Sequence, residues 1–275
     1  MKSIILAGGT ATRLYPACAV VPKHLVTVYD KPAIYYALTQ ALDFGVDDLM
    51  VVTRVETRAA TARLVSAVLD GTGVEVSYIV QEEPRGVAHA LVRAREWLKG
   101  EACLLQLSDN VYGVSLAKAG YVPAGLACAW LAQVPDEAEV ARCGVYDTRH
   151  NVIVEKPKVN IGTWVVTGTY YLPEDACARA AQLAPSARGE LEITDLLNLY
   201  LSEGKLDLHF CMVPWYDVGT PDGLLGAAMH VAKALKAGQL VGSPELALAR
   251  RGLRANPPAG TSDYACAVTS QLPRV

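Results

Sequence analysis

The chain opens with Ile4-Ile5-Leu6 running straight into Gly8-Gly9-Thr10-Ala11-Thr12 and then Arg13. That order of residue types narrows the available folds. A short apolar run of this kind is a buried strand. Glycines directly after it let backbone N–H groups approach an anion closely, and the arginine adds matching charge. The turn lacks the Gly-Lys-Ser/Thr ending of a Walker loop and the GxGxxG spacing of a dinucleotide fingerprint. Its place is the carboxyl edge of an α/β sheet, where such sheets gather their ligands.

The segments that follow keep the same rhythm. Residues 33–44 carry Ile34, Leu38 and Leu42 at helical spacing and stop at Gly45. Residues 49–53 read as a buried strand, 58–69 as a helix, 74–80 as a strand, 86–98 as a helix and 102–107 as a strand. Alternation of this kind predicts a mostly parallel, doubly wound sheet with helices on both faces. The second half reads as strands at 126–134, at 144–156 (a hairpin turning near His150-Asn151), at 163–172 and at 206–213. Helices are expected at 189–201 and 221–235, and a short one at 244–250. The expected organisation is a domain over 1–240, with a nucleotide-binding part to about 115 and a sugar-binding part over 116–240. A C-terminal short helix and flexible tail follow over 241–275.

Composition removes several function classes. A 52% hydrophobic and 19% charged chain of 275 residues builds a substantial core. Its net charge of −3 lacks the basic field of a nucleic-acid binder. Seven cysteines without CxxC spacing fit reduced thiols better than a disulfide frame or zinc motif. No apolar run approaches the roughly 18–20 residues of a membrane span, and no signal segment is evident, so a cytoplasmic protein without a membrane partner is expected.

Two carboxylates stand at predicted strand ends, Asp109 in Leu-Ser-Asp-Asn and Asp217 in Trp-Tyr-Asp-Val-Gly-Thr. Beside a phosphate-type turn they are natural Mg²⁺ ligands, because Mg²⁺ takes one or two carboxylates and completes its shell with water and phosphate. Each could also simply cap a turn. Arg13, Lys23, Lys156 and Arg188 supply the cations that a triphosphate and a monophosphate need. No nucleophile elbow or Cys–His pairing suggests covalent catalysis, and His24 and His89 read as isolated surface or helix residues.

Taken in order, LAGGTATRLYP (6–16), PKHL (22–25), QEEPRGVAHA (81–90), LSDN (107–110), EKPK (155–158), WVVTGTYY (164–171), RGELEITDLLNLYL (188–201) and WYDVGT (215–220) resemble the sugar-1-phosphate nucleotidylyltransferases, most closely the glucose-1-phosphate thymidylyltransferase branch. The resemblance implies a Rossmann-like sheet with an added sugar-binding part, and a homotetramer or homodimer. It places Leu6, Gly8, Gly9, Thr10, Thr12, Arg13, Gln81, Gly86 and Ser108 at the nucleotide. It places Asn110, Cys143, Gly144, Glu155, Lys156, Val166 and Arg188 at the sugar phosphate, and Asp109 and Asp217 on Mg²⁺. Arg13, Lys23, Lys156 and Asp109 would carry the transfer from a nucleoside triphosphate to a sugar 1-phosphate.

The chain departs from that pattern near the expected specificity contacts. Ala11 and Ser108 replace glycines, His24 a glutamine, Cys143 a tyrosine and Val218 a threonine. Cys143 predicts a wider sugar pocket. Gln81 favours thymine or uracil, while His24 and Ser108 leave room for a purine and hence for a guanylyl- or adenylyltransferase. A catalytically silent binding protein and a cytidylyltransferase for a non-sugar phosphate are the competing readings.

Overall fold

The computed structural model describes residues 1–9, 12–83, 85–118 and 125–253. β1 (Lys2–Leu6) is followed by a small ribbon, β2 (Thr27–Val28) with β3 (Lys31–Pro32), and then by α1 (Ile34–Asp43). β4 (Asp48–Thr53), α2 (Val55–Leu69), β5 (Glu75–Val80), α3 (Val87–Arg93), α4 (Arg95–Leu98) and β6 (Cys103–Leu107) complete the alternating half. The expected 86–98 helix is interrupted at Ala94, and α2 begins three residues earlier than its apolar pattern suggests.

Strand order explains why a site forms. β5, β4, β1 and β6 lie side by side, all parallel, with Leu6 level with Val52 on one side and Leu107 on the other. The chain leaves β1 toward β4 and β5, then crosses back to place β6 on the other flank of β1. Between β1 and β6 the winding direction reverses, and the loops after both strands must part there and leave a crevice. Ile4, Ile5, Leu104 and Leu105 are wholly buried, each stabilising the centre by about 1.5–3 kcal/mol.

The second half extends the same sheet. β7 (Asn110–Tyr112), β8 (Ala127–Gln133), α5 (Glu137–Val140), β9 (Gly144–Asp147), β10 (Val152–Glu155) and β11 (Trp164–Leu172) come first. α6 (Ala176–Ala180), α7 (Ile193–Ser202), β12 (Leu206–Cys211), β13 (Trp215–Asp217), α8 (Pro221–Lys236) and α9 (Pro244–Arg250) follow. β11 runs antiparallel to β6, β8 and β9, and β12 is parallel to β8, giving a mixed, mostly parallel nine-stranded sheet. A register shift between Val166 and Tyr170 bends β11 over the crevice. The 189–201 helix starts only at Ile193, because residues 188–192 form a loop that carries charged side chains into the site.

α8 and α9 each start with a hydroxyl cap followed by proline, Thr220-Pro221 and Ser243-Pro244. α9 is no loose appendage: Leu246, Ala247 and Leu248 are buried, and Arg250 and Arg251 pair with Asp43 and Asp47. The tail expected after it lies outside the described residues. The six described cysteines are free. Among the described residues no helix is long and apolar enough to cross a membrane.

Candidate active site

A cleft of about 310 Å³ opens at the carboxyl ends of β1, β5 and β6, under the bend of β11. At its floor lie the two acids. β6 delivers Asp109, and the β7–β13 ribbon sets Asp217 opposite Asn110. The Val218 N–H donates to the Asp109 carbonyl at 2.9 Å, closing the ribbon. A Cβ added to Gly219 would stand 2.7 Å from Asp217 Oδ1 and 3.4 Å from Asp109 Oδ2, so both carboxylates flank one small space. Asp217 is the last residue of its strand and does not cap α8; Thr220 does.

Each acid faces a cation. Lys23 Nζ donates to Asp109 Oδ2 in a very short contact, and Arg13 Nη2 reaches Asp217 Oδ2 at 3.1 Å. Gly9 allows the first contact, since a side chain there would meet Lys23 Cε at 2.8 Å. Burial works against charge on Asp109, yet the Lys23 ammonium outweighs it and holds the carboxyl below its ordinary range. Burial likewise opposes the Lys23 charge, and Asp109 reverses that, leaving the ammonium above its usual value. At Asp217 burial, reinforced by the Asp109 charge, raises the carboxyl. A buried and a half-buried acid with diverging titrations and hard oxygen donors suit a divalent cation.

Asn110 brackets this floor. Its Oδ1 accepts from the Gly168 N–H at 3.1 Å and from Trp215 Nε1 at 2.5 Å, while its Nδ2 donates to Asp109 Oδ1 at 3.2 Å. The side chain expected at the sugar phosphate therefore also ties the β11 bend to Asp109. Gly168 is required there, because a Cβ would come within 2.6 Å of Asn110 Nδ2.

Gln81 and Gly86 also line the cleft. Gln81 Nε2 lies 3.0 Å from His89 Nδ1, one α3 turn away. Gly86 has φ +99°, and a Cβ would strike the Leu191 carbonyl at 2.3 Å, so this backbone approach admits only glycine. In the same wall Arg188 Nη2 is 2.8 Å from both oxygens of Glu192 and 3.3 Å from Glu155 Oε1. Lys156 Nζ lies 3.6 Å from Glu155 on a residue with φ +46°, a conformation that non-glycine residues adopt at a cost. Burial raises the Glu155 carboxyl, with Lys156 pulling the other way.

Most expected side chains line this single cleft: Leu6, Gly8, Gly9, Arg13, Lys23, Gln81, Gly86, Asp109 and Asn110, then Cys143, Gly144, Glu155, Lys156, Val166, Arg188 and Asp217. Two described ones do not, and Thr10 lies outside the described residues; Thr12 is exposed beyond the wall. Ser108 is wholly buried behind it, packed at the end of β6 rather than open to a nucleotide. His24 is no surface residue either: its Nε2 contacts Thr61 Oγ1 at 2.8 Å, and burial lowers its pKa to about 4. Room for a purine thus finds no support at His24 or Ser108. Val87, Leu107, Arg142, Gly168, Tyr170, Glu190, Glu192, Ile193 and Trp215 also line the cleft, and none of them is an expected site residue. Only the paired glutamates beside Arg188 offered a sequence signal, as an arginine followed by two acids at alternate positions.

The family model described as Nucleotidyl transferase matches residues 2–234. The chain belongs to that family. It is therefore a nucleotidyltransferase, as the motif resemblance implied. A glucose-1-phosphate thymidylyltransferase of Neisseria meningitidis serogroup A is 39% identical over 245 residues, covering 84% of this chain and 82% of the relative. One from Mycolicibacterium smegmatis is 35% identical over 255 residues, covering 89% and 87%. Among solved structures, a Bacillus anthracis protein described as a glucose-1-phosphate thymidylyltransferase, in complex with a sucrose, superposes with a TM-score of 0.72. It is 33% identical and covers 83% of this chain and 94% of that one. A UDP-glucose pyrophosphorylase complexed with UDP-glucose shares the fold, with a TM-score of 0.70 at 22% identity over 84% of this chain and 98% of that one.

Proposed function

We propose that this chain transfers the thymidylyl group of dTTP, or the uridylyl group of UTP, to a hexose 1-phosphate or a larger sugar 1-phosphate, releasing pyrophosphate. The observation that carries the reading is the convergence of Asp109 and Asp217, with Lys23 and Arg13, in one cleft that Gln81, Lys156 and Arg188 also line. The names of the relatives point the same way.

The chemistry follows from charge. A sugar-phosphate oxygen attacks the α-phosphorus in line, and the bond to the oxygen bridging the β-phosphate breaks. The attacking monoester has a second pKa of about 6 and is already largely dianionic at pH 7, so no general base is required. The task is to align two polyanions that repel each other. Asp109 and Asp217 would hold Mg²⁺, which offsets charge across the triphosphate. Lys23 and Arg13 would face the phosphate oxygens of the triphosphate, and Lys156 and Arg188 would hold the sugar phosphate. The Gln81 amide offers both a donor and an acceptor, matching the N3–H and C4 carbonyl of thymine or uracil. Cys143, a small side chain in the sugar-side wall, leaves space for a sugar bulkier than glucose.

A matrix of dTTP, UTP, CTP, GTP and ATP against a panel of sugar 1-phosphates, read as Mg²⁺-dependent pyrophosphate release, tests this. Turnover should be highest with dTTP or UTP. Release confined to purine triphosphates, or absent for every pair, overturns the reading.

A further inference from the structure

Away from the cleft, one face of the β8–β12 ladder carries three side chains of the types that bind transition metals. The parallel register pairs Asp207 with Cys128 and His209 with Trp130. Residues in register, and residues two apart on a strand, share a face of the sheet. Cys128, Asp207 and His209 are accordingly neighbours. The Cys128 sulfur, one Asp207 oxygen and one His209 ring nitrogen all lie within 4.8 Å of one another.

Two details indicate that the three atoms share a ligand. His209 Nε2 is buried and makes no hydrogen bond, which is costly for an imidazole nitrogen. It stands 3.5 Å from Asp207 Oδ2, at ion-pair distance without hydrogen-bond geometry. Bonds of about 2.0–2.1 Å to nitrogen and oxygen put tetrahedral ligands about 3.4 Å apart, so this pair is already spaced for a metal. The His209 ring is held in place by stacking on Trp130, with centroids 5.2 Å apart and planes 16° from parallel.

We propose that Cys128, Asp207 and His209 form a zinc site that ties the edge strand β12 to β8, with water as the fourth ligand. Sulfur with imidazole selects zinc over calcium or magnesium, which take oxygen shells. Thiolate and carboxylate together carry two negative charges, which match a divalent ion. On binding, the Zn–S bond forms as the thiol proton leaves to solvent, and no electron is transferred. The Asp207 side chain is 39% exposed and His209 17%, so the ion enters from the Asp207 side to reach the buried sulfur. The site is independent of the Asp109–Asp217 pair and does not rest on the proposed function.

The test uses the full chain, stripped with a chelator and titrated with Co²⁺ and then Zn²⁺. Co²⁺ should develop a thiolate charge-transfer band that one equivalent of Zn²⁺ abolishes, and Zn²⁺ should raise the Tm. Cys128→Ser should remove the band. Asp207→Asn and His209→Ala should each weaken zinc binding at least tenfold, while Cys18→Ser changes neither readout. Asp207→Asn alters a partly exposed side chain and leaves the core sulfur in place, so the test stands even where Cys128→Ser fails to fold. Unchanged affinity in Asp207→Asn and His209→Ala, or zinc binding lost only on Asp217→Asn, overturns the proposal.

Discussion

Asp217 is fixed to Asp109 through the backbone: the Val218 N–H donates to the Asp109 carbonyl at 2.9 Å, and the strand register sets Asp217 opposite Asn110. Two acids far apart in sequence thereby form one rigid pair on a short ribbon. Their separation is set by hydrogen bonds of the main chain, not by flexible side chains. On the proposed function the site holds a cation while two anionic substrates react, and that rigidity would serve it.

The pair should act as a unit. Asp109→Asn and Asp217→Asn should each lower kcat by about 100-fold or more, in line with the loss of a charged group at the reacting centre. The double variant should be scarcely worse than either single one. Pyrophosphate release over a Mg²⁺ titration checks this; additive losses would mean that the two acids serve separate purposes.

Lys23 and Asp109 also contribute to stability, and the sign is fixed by their titrations. Asp109 is held below the ordinary carboxylate range, so its contribution is present above that range and fades as pH falls through the depressed value. Lys23 is held above its ordinary value, so its contribution is present at lower pH and fades as pH rises through the raised value. Lys23→Met should cost about 3–5 kcal/mol at neutral pH by leaving a buried carboxylate unpaired. Adding Asp109→Asn should recover part of that loss and flatten both flanks of the profile, as read by thermal unfolding across pH.

How far the site could be read from sequence depended on what each residue does. The Gly8-Gly9 turn and the two aspartates are legible from their places at strand ends, and Arg13 and Lys23 from the motifs around them; all of them line one cleft, and the strands themselves follow from apolar runs such as Ile4-Ile5-Leu6. Ser108, just past the end of β6, and His24, on the short helical turn 23–25, mislead because both are buried away from the cleft that their neighbours Asp109 and Lys23 line. Gly168 and Asn110 could not be read as a bracket, because the β11 bend that joins them depends on long-range register. The late start of α7 was hidden for a similar reason. Its preceding loop is held by Arg188–Glu192 pairing, which helical periodicity does not register.

Gly219 gives a probe of the acid pair that spares the fold. The three atoms nearest a methyl group there are ends of side chains, Asp217 Oδ1 at 2.7 Å, Arg13 Nη2 at 3.0 Å and Asp109 Oδ2 at 3.4 Å. Gly219→Ala should therefore keep the wild-type Tm within a degree or two, while kcat falls about 10- to 100-fold through misplacement of the carboxylates. Wild-type kcat in this variant would show that the space between the acids is not where reaction occurs.

His89 should govern nucleotide affinity through Gln81. Burial, helped by Arg85 and Arg93, lowers the His89 pKa, so the ring is neutral at pH 7 and its Nδ1 accepts from the Gln81 amide at 3.0 Å. That bond fixes which way the amide faces the cleft, leaving its oxygen and second N–H to meet a base. His89→Leu removes a bond worth about 1 kcal/mol, raising the KM for dTTP about fivefold with kcat unchanged. His89→Gln, which keeps an acceptor, should restore most of the affinity. In the wild type the KM should also climb as pH drops below the ordinary histidine range, because a protonated ring can no longer accept the Gln81 proton. His89→Leu should lose that pH dependence. Steady-state kinetics across pH separate this from a packing defect, which would lower kcat and Tm together and leave the wild-type slope in place.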